Sequence, residues 1–212
     1  MRQQAEALGM NADAVTVYLV NARERLFQEG PAKVGQKLEQ LLAENGVTVL
    51  HQRKALQERD GQLFLEDGGT LPAGLCVWTL GLSANPMLSQ MGLPLSPAGQ
   101  VLVDSCYRVS GMEFVYSIGD CAKIVDPSTG KADRMTCKEG IMQAKRLGKI
   151  VLADWEGRVA PAHKGVMDSF CIGLGPEQGL VWSRKWGLDF IITGKLAWNL
   201  KKYVWDSASL LR

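Results

Sequence analysis

The stretch Phe114-Val115-Tyr116-Ser117-Ile118-Gly119-Asp120-Cys121-Ala122 reads as a short apolar strand running straight into Gly-Asp. In an open α/β sheet, ligands gather beyond the carboxyl ends of the strands. Gly119 has no Cβ, so the backbone can come close to such a ligand. Asp120, when ionised, accepts two or more hydrogen bonds at that edge. A vicinal hydroxyl pair, as on a ribose or a ribityl chain, is a suitable donor. The same two residues are common turn formers, and on their own they favour an ordinary turn over a ligand site.

Towards the N-terminus the pattern is that of an α/β fold. Residues 1–8 read as the tail of a helix, and the β-branched run at 15–20 as a buried strand of parallel type. Val34, Leu38, Leu41 and Leu42 then recur at helical spacing, and Gly46 is placed to cap that helix. With a second strand at 47–50, the order strand–helix–strand predicts a βαβ crossover. Residues 62–66 and 71–78 read as two strands around the turn at Asp67-Gly68-Gly69. Residues 79–99, rich in Gly, Pro and Ser, mark a domain boundary. Beyond it come short strands at 101–103 and 114–118. An amphipathic helix carrying Ile141, Ala144, Leu147, Ile150 and Val151 falls within 133–154. A hairpin from 167–171 to 179–183 follows, and the last 24 residues read as one amphipathic helix.

The bulk numbers bound the function classes. The chain has 212 residues, 46% of them apolar and 22% charged, as in an ordinary globular protein. A net charge of +2 gives no nucleic-acid footprint. No run of 18 apolar residues is present, so no helix is expected to span a bilayer. Cys76, Cys106, Cys121, Cys137 and Cys171 are scattered and odd in number, which argues against a disulfide framework or a zinc site and suits a reducing compartment.

Three segments in order resemble the flavin-binding half of the FAD-dependent pyridine nucleotide oxidoreductases. Val77-Trp78-Thr79-Leu80-Gly81 resembles the family's crossover between its two domains. Gly99-Gln100-Val101-Leu102-Val103-Asp104 resembles its G-x-apolar-x-V-D strand, and residues 115–122 its second FAD motif. Residues 134–140, 169–180 and 193–201 are similar to the branch of type II NADH dehydrogenases. The resemblance implies electron transfer from NAD(P)H through FAD to a quinone. It implies that Gly119 and Asp120 hold the ribityl chain, with Cys121, Gly81, Thr136 and Cys137 nearby and Lys201 at the flavin or quinone rim. A helix beginning near Thr136 would turn its positive N-terminal end towards the flavin; a plain N-cap accounts for Thr136 equally well.

The departures are large. No G-x-G-x-x-G fingerprint occurs, and Gly173-Leu174-Gly175-Pro176 has a proline where a phosphate cradle needs an N–H. The implied fold is α/β and Rossmann-like, a partial flavoprotein of two dinucleotide-binding domains. It would lack the N-terminal FAD half and the first βα unit of the NAD(P)H domain, and end in a C-terminal amphipathic helix. Its segments would be 1–80 from the NAD(P)H domain, 81–162 from the FAD domain, and a tail at 163–212. Met1 then reads as an internal methionine of a longer protein, and the chain alone is expected to show little or no NADH oxidase activity. A non-catalytic remnant serving as an interaction or membrane module is the alternative of a different class.

Three features bear on substrates and partners. Asn21 stands where the family carries an acid for the adenosine ribose, with Arg23 and Arg25 close by. That leans towards NADPH, or else these are solvated surface residues. Cys137 or Cys121 near a flavin would suit sulfide:quinone chemistry, or act as small hydrophobes. Residues 182–212 combine Trp182, Trp186, Trp198 and Trp205 with Arg184, Lys185, Lys195, Lys201, Lys202 and Arg212. That composition suits docking on a membrane surface, or packing on a neighbouring domain. The expected location is cytoplasmic, peripheral on the cytoplasmic face of the inner membrane, with a homodimer left open.

Overall fold

The computed structural model describes residues 2–9, 11 and 14–209. The chain forms two compact units. One comprises the residues up to Trp78 together with those from Ser169 onward; the other is Thr79–Asp168.

In the first unit, helix α1 (Arg2–Ala7) precedes β1 (Val17–Val20), α2 (Ala32–Glu44) and β2 (Val47–Leu50). Strands β1 and β2 are parallel, Val17 opposite Val47 and Val20 opposite Leu50. Helix α2 is thus the crossover that a parallel pair requires. Val34, Leu38 and Leu41 share one helical face and are buried.

Strands β3 (Ala55–Arg59), β4 (Gln62–Leu65) and β5 (Thr70–Pro72) form an antiparallel meander. The strand expected over 71–78 stops at Pro72. Beyond Ala73 the chain finds no ladder, and Leu75 and Val77 are exposed.

Strands β8 (Ser169–Gly173), β9 (Gly179–Lys185) and β10 (Leu188–Thr193) make a second antiparallel meander, numbered after two short strands of the other unit. Helix α4 (Gly194–Ala208) follows. The expected hairpin is present, but the single helix expected from residue 189 is corrected. Asp189–Thr193 pairs along β9, because its β-branched, aromatic run suits a strand. Arg212, with residues 210 and 211, lies outside the described residues. Helix α4 crosses the meander closely: a Cβ on Gly179 would lie 2.8 Å from the Trp198 amide nitrogen. The core of this unit joins Val34, Leu38 and Leu41 to Leu180 and Trp182, with Phe27 edge-on to both Phe170 and Trp182.

The second unit holds β6 (Val101–Leu102), β7 (Ala122–Lys123) and α3 (Cys137–Trp155) around Tyr107, Ala122, Ile124 and Ile150. Residues 114–118 do not form the buried strand expected of them. They lie along 107–109 through the Arg108–Tyr116 bridge and the bonds Val109 N to Val115 O and Ser117 N to Tyr107 O. Phe114 is 86% exposed, while Tyr116 and Ile118 turn into the core. A short apolar run does not reveal whether both of its faces are covered.

Asp126 pins the loop that follows β7. Its carboxylate, only 5% exposed, accepts from the Ser128 hydroxyl, the Gly165 amide and the Ser128 amide. Those bonds, the hydroxyl first, lower its pKa to about 2. A carboxyl depressed in the folded state adds stability above its unfolded value, and that contribution fades as pH falls through the folded one. Asp126→Asn is therefore expected to be less stable than wild type at neutral pH, with the gap closing from about pH 4 downwards. Urea midpoints of both proteins across pH 2–7 check this, and a constant gap refutes it.

Candidate functional site

Gly119–Cys121 forms a single 3-10 turn between the 114–118 segment and β7. Gly119 has φ +77°, the left-handed region that favours glycine. A Cβ there would meet no atom within 4 Å, so the space above the turn is open. Asp120 is exposed, and among the described residues its carboxylate has no hydrogen-bond partner. Cys121 is half-buried, its thiol donating to Ile118 O at 3.2 Å.

Two of the quoted segments meet here. Val101 pairs with Ala122 and Leu102 with Lys123, in parallel. The Gln100 amide adds a bond to Ala122 O at 3.2 Å. The G-x-apolar-x-V-D strand and the Gly-Asp turn are thus neighbours. Gly81 lies in the same unit, exposed at φ +92°, and a Cβ there would meet no atom within 4 Å.

Helix α3 stands beside the turn. Thr136 is its N-cap, accepting from the Glu139 amide, and Glu139 reaches back to the Thr136 hydroxyl. The pair ties down the first turn of α3 through side chains, while the Thr136 amide donates to Arg134 O at 2.9 Å. Burial raises the pKa of the Glu139 carboxyl, against the opposing pull of Lys138 and Arg134. Cys137, the first helical residue, is exposed.

Gln143, two turns into α3 and 3% exposed, is the link that sequence alone did not single out. Its Oε1 accepts from Gly119 N at 2.8 Å, and its Nε2 donates to Asp133 Oδ2 at 2.8 Å. The buried face of α3 runs through Glu139, Gln143, Ile150 and Ala153, not through the expected Ile141, Ala144 and Val151, which are exposed. A polar residue on a buried stripe is invisible to hydrophobic periodicity; its one signal was the spacing of four from Glu139. The clefts of 440 and 430 Å³ in this unit open around Arg108 and Glu113, and Asp120 borders neither.

Asn21, Arg23 and Lys201 belong to the first unit. Asn21 follows β1, with its Nδ2 2.9 Å from His51 Nδ1 and 3.0 Å from Arg23 O. His51 Nε2 meets Glu39 at 3.2 Å. Arg23 is exposed, with one bond to Gln28. Arg25 spends its guanidinium on the carbonyls of Phe27, Gln28 and Gly30, which removes it as a ligand for a phosphate. Lys201 is half-buried on α4, its Nζ 5.9 Å from the Trp205 ring centre.

Comparison with known proteins gives a consistent family. The model of the pyridine nucleotide-disulphide oxidoreductases matches residues 4–147. The type II NADH:quinone oxidoreductase of Haemophilus influenzae is 26% identical over 156 residues, covering 73% of this chain and 35% of that protein. The internal alternative NAD(P)H-ubiquinone oxidoreductase A1 of Arabidopsis thaliana mitochondria is 27% identical over 218 residues, 94% of this chain and 41% of that protein. The sulfide:quinone oxidoreductase of Aquifex aeolicus shares the fold, with a TM-score of 0.73 at 14% identity over 98% of this chain and 53% of that one. A FAD-dependent pyridine nucleotide-disulphide oxidoreductase from Desulfovibrio vulgaris does likewise, with a TM-score of 0.62 at 24% identity over 80% of this chain and 43% of that one. The chain thus spans between a third and a half of the curated relatives' length. With its parallel βαβ unit and its Gly-Asp turn beside α3, the chain belongs to the pyridine nucleotide-disulphide oxidoreductase family.

Proposed function

We propose that this chain serves an NAD(P)H:quinone oxidoreductase, contributing the ribityl side of an FAD site from Thr79–Asp168 and part of the NAD(P)H-binding fold from the first unit. One observation carries it: Asp120 stands exposed and unpartnered on a left-handed glycine turn, with open space above Gly119. A turn serving only itself gains nothing from a bare carboxylate, whereas a sugar-alcohol arm needs such an acceptor. The residues present therefore fit the ribityl part of FAD. When bound, FAD supplies the two-electron acceptor for hydride from NAD(P)H and the donor to quinone. Asp120 would accept from the arm's hydroxyls, and Gly119 leaves the approach clear. Thr136 and Cys137 stand at the positive end of α3, which favours negative charge nearby. By the resemblance, Gly81 would serve at the crossover and Lys201 at the flavin or quinone rim.

The quinone acceptor rests on the names of the relatives. With no G-x-G-x-x-G in the sequence, turnover by this chain is expected to be low, so binding is the better test. FAD titration followed by flavin fluorescence is expected to show saturable quenching by wild type. A protein that leaves FAD fluorescence unchanged at millimolar concentration rejects the assignment.

On the nucleotide side, Arg23 is the guanidinium at the end of β1 that remains exposed. Arg23→Ala is expected to weaken NADPH binding by about tenfold, the worth of one charge-assisted bond, and leave NADH alone. Calorimetric titration with both nucleotides checks this; an equal effect on each refutes the 2′-phosphate role.

A membrane surface is the proposed partner of α4. No helix among the described residues is long and apolar enough to cross a membrane. Helix α4 nevertheless exposes Leu196, Leu200, Tyr203, Val204 and Trp205 beside Lys195 and Lys202. Exposed apolar and cationic residues together suit an interfacial helix. Trp205→Ser with Leu200→Ser is expected to lower sedimentation with anionic vesicles by about tenfold. Equal sedimentation removes the membrane from the account.

A further inference from the structure

A continuous chain of hydrogen bonds, fully buried at its Tyr107–His163 link and part-buried towards the turn, ends on the Gly119 amide. It begins at Arg146, whose Nη1 lies 3.0 Å from Tyr107 Oη, 3.2 Å from His163 Nδ1 and 3.2 Å from Lys164 O. Tyr107 is fully buried and His163 is 3% exposed; Tyr107 Oη and His163 Nδ1 are 2.9 Å apart. His163 Nε2 meets Asp133 Oδ1 at 3.2 Å. Asp133 Oδ2 takes the Gln143 amide N–H, and Gln143 Oε1 takes the Gly119 N–H, both at 2.8 Å. The backbone of His163 is itself held by the Ser105 carbonyl at 2.6 Å.

The direction of every bond follows from the chemistry of its ends. A guanidinium only donates, a carboxylate only accepts, and a backbone N–H only donates. Gln143 must therefore turn its oxygen to Gly119 and its nitrogen to Asp133. His163 must carry its proton on Nε2, facing Asp133, and leave Nδ1 to accept from the Tyr107 hydroxyl. Tyr107 in turn accepts from Arg146. Bonds from both sides converge on Asp133, and reversing any one would face two donors or two acceptors at the next. With a neutral imidazole such a network has one satisfied arrangement, which is what gives it rigidity.

We propose that Gln143 and His163 are positioning residues, holding the Gly119 peptide, and with it the Asp120 carboxylate, in the orientation the ligand meets. This deepens the proposed FAD site and rests on it for the ligand, but not for the effect on the turn. Gly119 is the one residue of the turn that the network grips, and it is also the residue in the left-handed region. Without the Gln143 acceptor the turn keeps its local bonds and the Gln100 amide contacts to Asp120 O and Ala122 O, none of which holds the Gly119 N–H.

The test is amide hydrogen exchange of Gly119, followed by NMR in the full 212-residue chain with a parallel FAD titration. Gln143→Met, close in volume, is expected to speed Gly119 exchange by about ten- to hundredfold, the usual range for losing a buried acceptor. Amides within α3 near Ile150 stay within a few-fold, which separates local release from unfolding. His163→Gln keeps a donor to Asp133 and is expected to behave as wild type, whereas His163→Leu speeds Gly119 exchange by about tenfold. Imidazole ¹⁵N shifts, assigned with His51→Asn, are expected to show the proton of His163 on Nε2. Unchanged Gly119 exchange in Gln143→Met, or a proton on Nδ1 of His163, overturns the proposal. If wild type fails to bind FAD, the FAD assignment falls, and the exchange data still decide whether the network sets the turn.

Discussion

Asp120→Ala is expected to weaken FAD binding by about ten- to hundredfold while leaving the folding free energy within about 0.5 kcal/mol. The two halves of that expectation have separate causes. The carboxylate is exposed and bonds to no described residue, so removing it orphans nothing and opens no cavity. Hydrogen bonds to a charged acceptor contribute about 1.5–3 kcal/mol, and each 1.4 kcal/mol is a factor of about ten in affinity. Asp120→Asn should fall between, since it retains one acceptor oxygen and loses the charge. Fluorescence titration with FAD, paired with urea midpoints for the same proteins, separates binding from folding. Equal FAD affinity in wild type and Asp120→Ala would take the carboxylate out of the site.

Trp182→Ala is the opposite case, and should cost about 3–5 kcal/mol of stability in the first unit. Trp182 is 3% exposed and packs edge-on to Phe27, with ring centres 5.3 Å apart. Its indole N–H donates to Asp189 Oδ1 at 3.0 Å. Arg184 foremost, with help from the indole and Lys33, lowers the pKa of Asp189 to about 2. Losing the ring empties a site between α2 and the β8–β10 meander that no flexible chain can refill. Trp186, four residues on, is 83% exposed and lies over Lys185. Its replacement by alanine should stay within about 0.5 kcal/mol. Denaturant unfolding followed by near-ultraviolet circular dichroism compares the two. Similar costs would show that Trp182 is not the core residue described.

That pair also marks where sequence reading reached its limit. Trp182, Trp186, Trp198 and Trp205 look alike as a basic, tryptophan-rich tail. Composition does not say which ring faces inward. In the structure Trp182 is core, Trp198 is half-buried against the β8 edge, and Trp186 and Trp205 face solvent. Only Trp186 and Trp205 are then left for a surface role. The helix predicted from residue 189 failed for a related reason. Asp189–Thr193 gains a ladder along β9, and pairing with a partner outweighs helical spacing.

Some things followed from local chemistry alone. The βαβ crossover of β1, α2 and β2 was legible because an apolar, β-branched run and a one-faced helix leave different periodicities, although both strands are only half-buried. The N-cap at Thr136 was legible because capping depends on residues within one turn. The Gly-Asp turn was found because glycine at a left-handed position and a bare acid are both local demands. What only the tertiary structure decided is what reaches that turn from afar. Gln143, Asp133, His163 and Arg146 lie 14 to 44 residues from Gly119 or its neighbours by sequence number, and nothing in their spacing announces that they converge. Hydrophobic patterning reports which residues leave water. It is blind to polar groups buried together, since each is tolerated only through a partner supplied by the folded chain.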